Sequence, residues 1–134
     1  VNCAAVRLPA AAWAEKDGTV TNSERRISRQ RQFMALPGEV RPDWWIMGQV
    51  AARLGWADAF AYSRPAQIFR EHARLSAFEN DSDRAFDIGG LAALSDAAYD
   101  NLVPVQWPVR VAGQGTERMF ADGQFFTPSR KAKA

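Results

Sequence analysis

The run WAEKDGTVTNSERRISRQRQ, Trp13 to Gln32, gathers Glu15, Thr19, Thr21, Asn22, Glu24 and the arginines Arg25, Arg26, Arg29 and Arg31. A guanidinium presents a planar fork of donors that matches phosphate and carboxylate. Asn and Thr side chains can meet the edge of a heterocycle or tie a loop to itself. Such a run offers recognition of an anionic ligand rich in hydrogen-bonding atoms. The same residues equally suit a solvated loop whose arginines pair nearby acids. Residue types alone leave both readings open. Few of these side chains can form a core, so other elements must position them.

The composition is that of a folded domain. Of 134 residues 47% are hydrophobic, 24% charged and 11% aromatic, which is ample for a core and argues against intrinsic disorder. A net charge of +2 is too small to imply a nucleic-acid partner by itself. Cys3, the single cysteine, excludes an internal disulfide and a cysteine-built metal site, and fits a reducing compartment. No apolar run reaches the length of a membrane span, and the first residues lack a basic stretch followed by a long apolar block. The expectation is a cytoplasmic protein with neither a membrane nor a nucleic-acid partner.

Three helices are expected. Pro42-Asp43 opens the first, with Ile46, Val50 and Leu54 as an apolar stripe and Gly55 as its stop. The second starts near Ser63-Arg64-Pro65 and places Ile68, Phe69, His72 and Leu75 at helical spacing. A short third starts at Ser95 and carries Ala98, Tyr99 and Leu102. Leu8 to Trp13, broken by Pro9, reads as a strand end running into a loop, and Asp17-Gly18 as a turn. Asn22 and Ser23 are further turn formers. From Val103 the pattern turns β-like, and RMFADGQFFTP predicts a C-terminal hairpin about Asp122-Gly123. The fold class is mixed α/β, α+β in this stretch. A lone hairpin is marginal in water, and the sequence reads as cut at both ends.

Several residues invite chemistry and receive bland readings. Cys3 reads as inert, and His72, beside Phe69 and Leu75, as a packed or surface histidine. Trp44, Trp45, Trp56 and Trp107 read as packing between helices. The acids of ENDSD fit no calcium loop and read as a solvated turn. No residue is nominated as catalytic and none as a metal ligand.

The segment LPAAAWAEKDGTVTNSERRISRQR resembles the molybdopterin oxidoreductases of the dimethyl sulfoxide reductase family, where a Glu-x-x-Gly-Thr-x-x-Asn-x-Glu-Arg/Gly-Arg run follows a strand ending in Leu-Pro. Within the family it is most similar to the catalytic subunit of bacterial assimilatory nitrate reductases. RPDWWIMGQVAARLGW, SRPAQIFREHARLSAFEN, FDIGGLAALSDAAYDNLVPVQWPV and RMFADGQFFTP resemble the same subunit in the same order. The resemblance implies a molybdenum bis-molybdopterin guanine dinucleotide cofactor, nitrate as substrate and nitrite as product. It also implies an iron–sulfur cluster elsewhere in the full-length subunit, whose remainder is this chain's partner. The electron donor is left unspecified.

The positions matching the motif, and so expected near cofactor, are Glu15, Gly18, Thr19, Asn22, Glu24, Arg25 and Arg26. Cys3 matches neither the cluster ligands nor the molybdenum ligand, and VNCAAVR departs from the family's apolar strand. The resemblance therefore reads this chain as a C-terminal-region fragment, unsuited to catalysis on its own. Residues 1–102 would end an α/β domain, and 103–134 would open the β-barrel domain that holds the pterin dinucleotides. Two other readings stay open: a fragment of a related formate dehydrogenase, or a non-catalytic packing module.

Overall fold

A computed structural model describes residues 3–133. They fall into two units: one takes the chain up to Gly18 with Gln30–Pro65, the other Thr19–Arg29 with everything from Ala66 onward.

In the first unit the chain is extended through Ala10, as expected, and Trp13–Glu15 then forms a single 3-10 turn. Ala10 bridges Arg41 in parallel, with Ala11 N–H donating to the Arg41 carbonyl at 3.0 Å and Arg41 N–H to the Pro9 carbonyl at 3.1 Å. Helix α1 spans Asp43–Arg53. Pro42 takes the N-cap position with extended backbone, one place earlier than the first-turn position its missing N–H suggested, and Asp43 favours the positive helix end. Gly55, at φ +90°, provides the left-handed residue that ends the helix. The expected apolar stripe is not a core face here. Val50 and Leu54 are 48% and 72% exposed, and Ala51 is the buried residue of the helix. The turn Asp58–Phe60 packs on the small residues: a Cβ on Gly48 would lie 3.6 Å from the Phe60 carbonyl oxygen. Trp45 and Trp56 are likewise exposed rather than packed between helices.

A three-stranded sheet, in the second unit but for the strand ends Gly18 and Gln30, has the order β1 (Gly18–Thr21), β2 (Arg26–Gln30), β3 (Val105–Gln106). β2 and β3 are antiparallel, with Arg26 opposite Gln106 and Ile27 opposite Val105. Asp17-Gly18 is not the turn of this hairpin. Gly18 already lies in β1, and the chain reverses through Asn22–Arg25, because Asn22 can cap the turn with its own side chain.

Helix α2, Pro65–Ala77, buries Ala66, Phe69, Ala73 and Ser76 rather than the bulkier Ile68, His72 and Leu75. The small residues let the helix sit close, Phe69 sets its ring 5.4 Å from that of Tyr99, and the exposed His72 sets its ring 5.3 Å from that of Phe86. Helix α3, Asp96–Asp100, starts as expected at Ser95, whose Oγ accepts the Ala98 N–H at 3.1 Å. Tyr99, Ile88 and Val109 are fully buried and, with Ile27, Phe69 and Leu91, form the core.

The polar loop after α2 is organised by Asn80. Its Nδ2 donates to the carbonyls of Ser76 and Phe86, and its Oδ1 accepts the Arg84 N–H at 2.8 Å. Around Asp122-Gly123 the turn is present, with Gly123 at φ +72° and its N–H on the Phe120 carbonyl. The flanking runs do not pair as strands. Phe120 and Phe125 stack instead, ring centroids 4.6 Å apart, and Phe125 N–H bonds to the Arg130 carbonyl. Three helices and a small sheet make the fold mixed α+β.

Candidate functional site

The turn between β1 and β2 is built by Asn22. Its Oδ1 accepts the N–H groups of Glu24 at 3.0 Å and Arg26 at 2.9 Å, while its N–H donates to the Arg26 carbonyl. This side-chain-capped turn needs left-handed backbone, and Arg25 supplies it at φ +67°, a conformation a non-glycine residue adopts at a cost.

Tertiary bonds hold Arg25 there. Its guanidinium donates to three main-chain carbonyls: Trp107 and Thr116 through Nη1, the latter at 3.2 Å, and Glu117 through Nη2 at 3.0 Å. The same group lies 5.5 Å from the Trp107 ring centre, and the Arg25 carbonyl accepts the Trp107 N–H at 3.1 Å. Gln106 Nε2 adds a bond to the Glu24 carbonyl at 3.0 Å. The turn is thereby fastened to the segment that carries β3.

The seven motif positions therefore separate. Thr19, Asn22, Glu24, Arg25 and Arg26 come together in the second unit, while Glu15 and Gly18 lie in the first. Glu15 is a local cap, its Oε2 accepting the Ala12 N–H at 2.9 Å. Gly18 has open space around the position a Cβ would take. Asn22 and Arg25 spend their side chains on the loop and its seat. Glu24 and Arg26 are exposed, and among the described residues their side chains make no hydrogen bond or ion pair.

Arg29, three residues after Arg26 in β2, is a core residue in disguise. Its side chain is almost fully buried, with the guanidinium 4.1 Å from the Tyr99 ring centre, Nη1 on the Tyr99 hydroxyl at 3.3 Å and Nη2 3.5 Å from Asp100. In the first unit, Lys16 Nζ bonds Asp43 Oδ2 at 2.8 Å. That bond holds the Asp43 carboxyl below its ordinary value against the opposing effect of burial, with the nearby ammonium charge adding to the lowering.

A second polar feature escaped the sequence reading. Arg110, Arg118 and Arg130 line one cleft of about 660 Å³ in the second unit. No motif spacing joins them, and they lie in irregular chain, so nothing in the sequence marks them as a group.

Residues 1–53 match the family described as molybdopterin oxidoreductase. A nitrate reductase of Klebsiella oxytoca is 64% identical over 104 residues, 78% of this chain and 12% of that protein. A nitrate reductase of Shewanella frigidimarina is 47% identical over 133 residues, 96% of this chain and 14% of that protein. A formate dehydrogenase alpha subunit of Methanocaldococcus jannaschii is 50% identical over 71 residues, 53% of this chain and 10% of that protein. The chain thus spans only about a seventh or less of the length of these relatives. Over most of its length the chain is homologous to a stretch of the nitrate reductases, and it resembles the molybdopterin oxidoreductase family to which its first 53 residues match.

Proposed function

We propose that this chain forms part of the catalytic subunit of a nitrate reductase that works at a molybdenum-pterin centre. The observation that carries the reading is the 64% identity over 104 residues to a nitrate reductase. Formate dehydrogenase is the second reading, supported by a match over about half of the chain, against 78–96% for the two nitrate reductases. On the preferred reading the cofactor is molybdenum bis-molybdopterin guanine dinucleotide, the setting is cytoplasmic nitrate assimilation, and electrons arrive through an iron–sulfur cluster carried elsewhere in the subunit. Residues 1–102 then close an α/β domain, and 103–134 open the barrel domain.

The residues present suit such a group. Glu24 and Arg26 are exposed, with no side-chain bond among the described residues, at the tip of a turn whose conformation is fixed from behind. A molybdenum-pterin supplies the two-electron oxygen-atom transfer by which nitrate becomes nitrite. The chain's own residues hold and orient. Asn22 sets the turn, and Arg25 seats it on the 107–117 segment. Arg26 offers an unspent donor fork, Glu24 an acceptor pair and Thr19 a hydroxyl, while Glu15 and Gly18 shape the approach to β1. Pre-positioned donors of this kind lose little freedom on binding.

The test is a segment exchange. The matching stretch of the Klebsiella nitrate reductase is replaced by this chain's residues, and the same is done in the Methanocaldococcus formate dehydrogenase. The reading expects molybdenum retention and nitrite formation in the first host, with poorer function in the second. Full activity only in the formate dehydrogenase would favour the alternative.

A further inference from the structure

A cleft of about 250 Å³ lies wholly within the first unit, where α1 meets the extended chain before Trp13. The Ala10–Arg41 bridge fixes its walls. Ala11 N–H on the Arg41 carbonyl, and Arg41 N–H on the Pro9 carbonyl, hold Leu8 and Pro9 beside the start of the helix. Leu8, Pro9, Trp45 and Ile46 give the cleft an apolar floor, and Arg41, Arg53 and Glu39 bring its charges. Arg41 Nη1 donates to the Val40 and Gly38 carbonyls at 2.7 and 3.3 Å, and Arg53 Nη1 to the Gln49 carbonyl at 2.9 Å. Those acceptors are neutral, and among the described residues neither guanidinium forms an ion pair. The edge of each fork made by Nε and Nη2 is unspent there, and the Glu39 carboxylate likewise has no bond among the described residues. Two cations against one carboxylate leave the cleft with one net positive charge.

We propose that this cleft binds a small monocarboxylate with an apolar, ring-sized body, its carboxylate on the forks of Arg41 and Arg53 and its body against Trp45, Ile46 and Leu8. Planar donor forks match the two oxygens of a carboxylate. The apolar floor favours a hydrocarbon body over a bare inorganic ion, because apolar surface taken out of water adds to binding. The volume lies below the several hundred cubic ångströms that larger ligands fill, so a nucleotide does not suit it. Glu39 sets the charge limit: it repels a second anionic group and leaves one positive charge for one carboxylate. The Arg41 guanidinium lies 5.9 Å from the Trp45 ring centre, which keeps fork and ring side by side as such a ligand needs. The proposal is independent of the nitrate reductase reading, because none of the lining residues is a motif position.

The experiment titrates the whole chain with benzoate at neutral pH and fixed ionic strength, following the Trp45 indole N–H resonance by NMR, assigned through Trp45→Phe. Benzyl alcohol tests the need for charge, acetate the need for a ring, and phthalate the limit of one charge. Benzoate should give a saturable shift at lower concentration than any of these. Arg53 is exposed and its side chain bonds within its own helix turn, so Arg53→Gln should keep the melting temperature while weakening benzoate about tenfold. Arg53→Lys keeps the charge without the fork and should recover part of that loss. Arg74→Gln, on the exposed face of α2, should change nothing. No saturable shift with benzoate, equal binding of benzyl alcohol or phthalate, or an affinity of Arg53→Gln equal to that of Arg74→Gln would each overturn the site.

Discussion

The guanidinium of Arg25 donates to the carbonyl oxygen of Trp107, 82 residues further along the chain, while the Arg25 carbonyl accepts the Trp107 N–H at 3.1 Å. The two residues grip each other through main chain and side chain at once. A residue whose type and motif position suggested a ligand contact is thus a tie that holds a turn in place.

Replacing Arg25 with alanine should therefore cost stability. Three carbonyl acceptors lose a charged donor, and one residue stays in left-handed backbone without compensation. The expected loss is about 1–3 kcal/mol, read from the denaturation midpoint. Lysine keeps the charge but reaches fewer carbonyls, so it should rescue only in part. An unchanged midpoint for the alanine variant would mean that the clamp contributes nothing.

Gly90 should tolerate no side chain. A Cβ there would lie 2.6 Å from the Val111 carbonyl carbon and 2.8 Å from both the Ala112 nitrogen and the Val109 oxygen, all backbone atoms. Gly90 N–H also bonds the Val109 carbonyl at 2.8 Å, so the two segments cannot part without losing that bond. Gly90→Ala is expected to destabilise the chain by roughly 1–3 kcal/mol. Gly123→Ala changes a position with open space, and its cost should come only from the positive φ. Thermal melts of the two variants check the ordering.

The Lys16–Asp43 pair gives a small acid dependence of known sign. The Asp43 carboxyl is held below its unfolded value, so its contribution is present above the ordinary carboxylate value and fades as pH falls through the lowered folded one. Both partners are substantially exposed, which limits the pair to about 0.2–1 kcal/mol and makes it salt-sensitive. Asp43→Asn should flatten that part of the stability profile at low salt. A profile that steepens on substitution would contradict the assignment.

Much of this molecule was legible in advance, for identifiable reasons. Helix starts and stops were readable because Pro42, Gly55 and Ser95 act through their own backbone or side chain. The faces of α1 and α2 were not. Hydropathy ranks Ile68 and Leu75 above Ala66 and Ala73, yet close approach of the helix selects the small residues. Asn22 was recognisable as a turn former, but Asp17-Gly18 looked stronger because sequence carries no record of which turn the sheet register needs. The roles of Arg25, Arg26 and Arg29 could not be told apart: each is an arginine in one run, and only the tertiary partners make one a clamp, one exposed and one buried against Tyr99. The cleft lined by Arg110, Arg118 and Arg130 was not legible, because nothing in their local sequence shows it.

The central claim is that the Asn22–Arg26 turn presents its outward side chains to a molybdenum-pterin site. The most direct measurement is molybdenum per polypeptide, with nitrite formation alongside, in a complete nitrate reductase subunit carrying this chain's segment. Arg26→Ala is compared there with Arg74→Ala. Loss of a charged donor to the cofactor should lower metal retention or turnover by about tenfold or more for Arg26→Ala, with a normal melting temperature. Arg74→Ala should match the parent. If Arg26→Ala retains molybdenum and forms nitrite as Arg74→Ala does, the turn is only a structural hairpin and the claim fails.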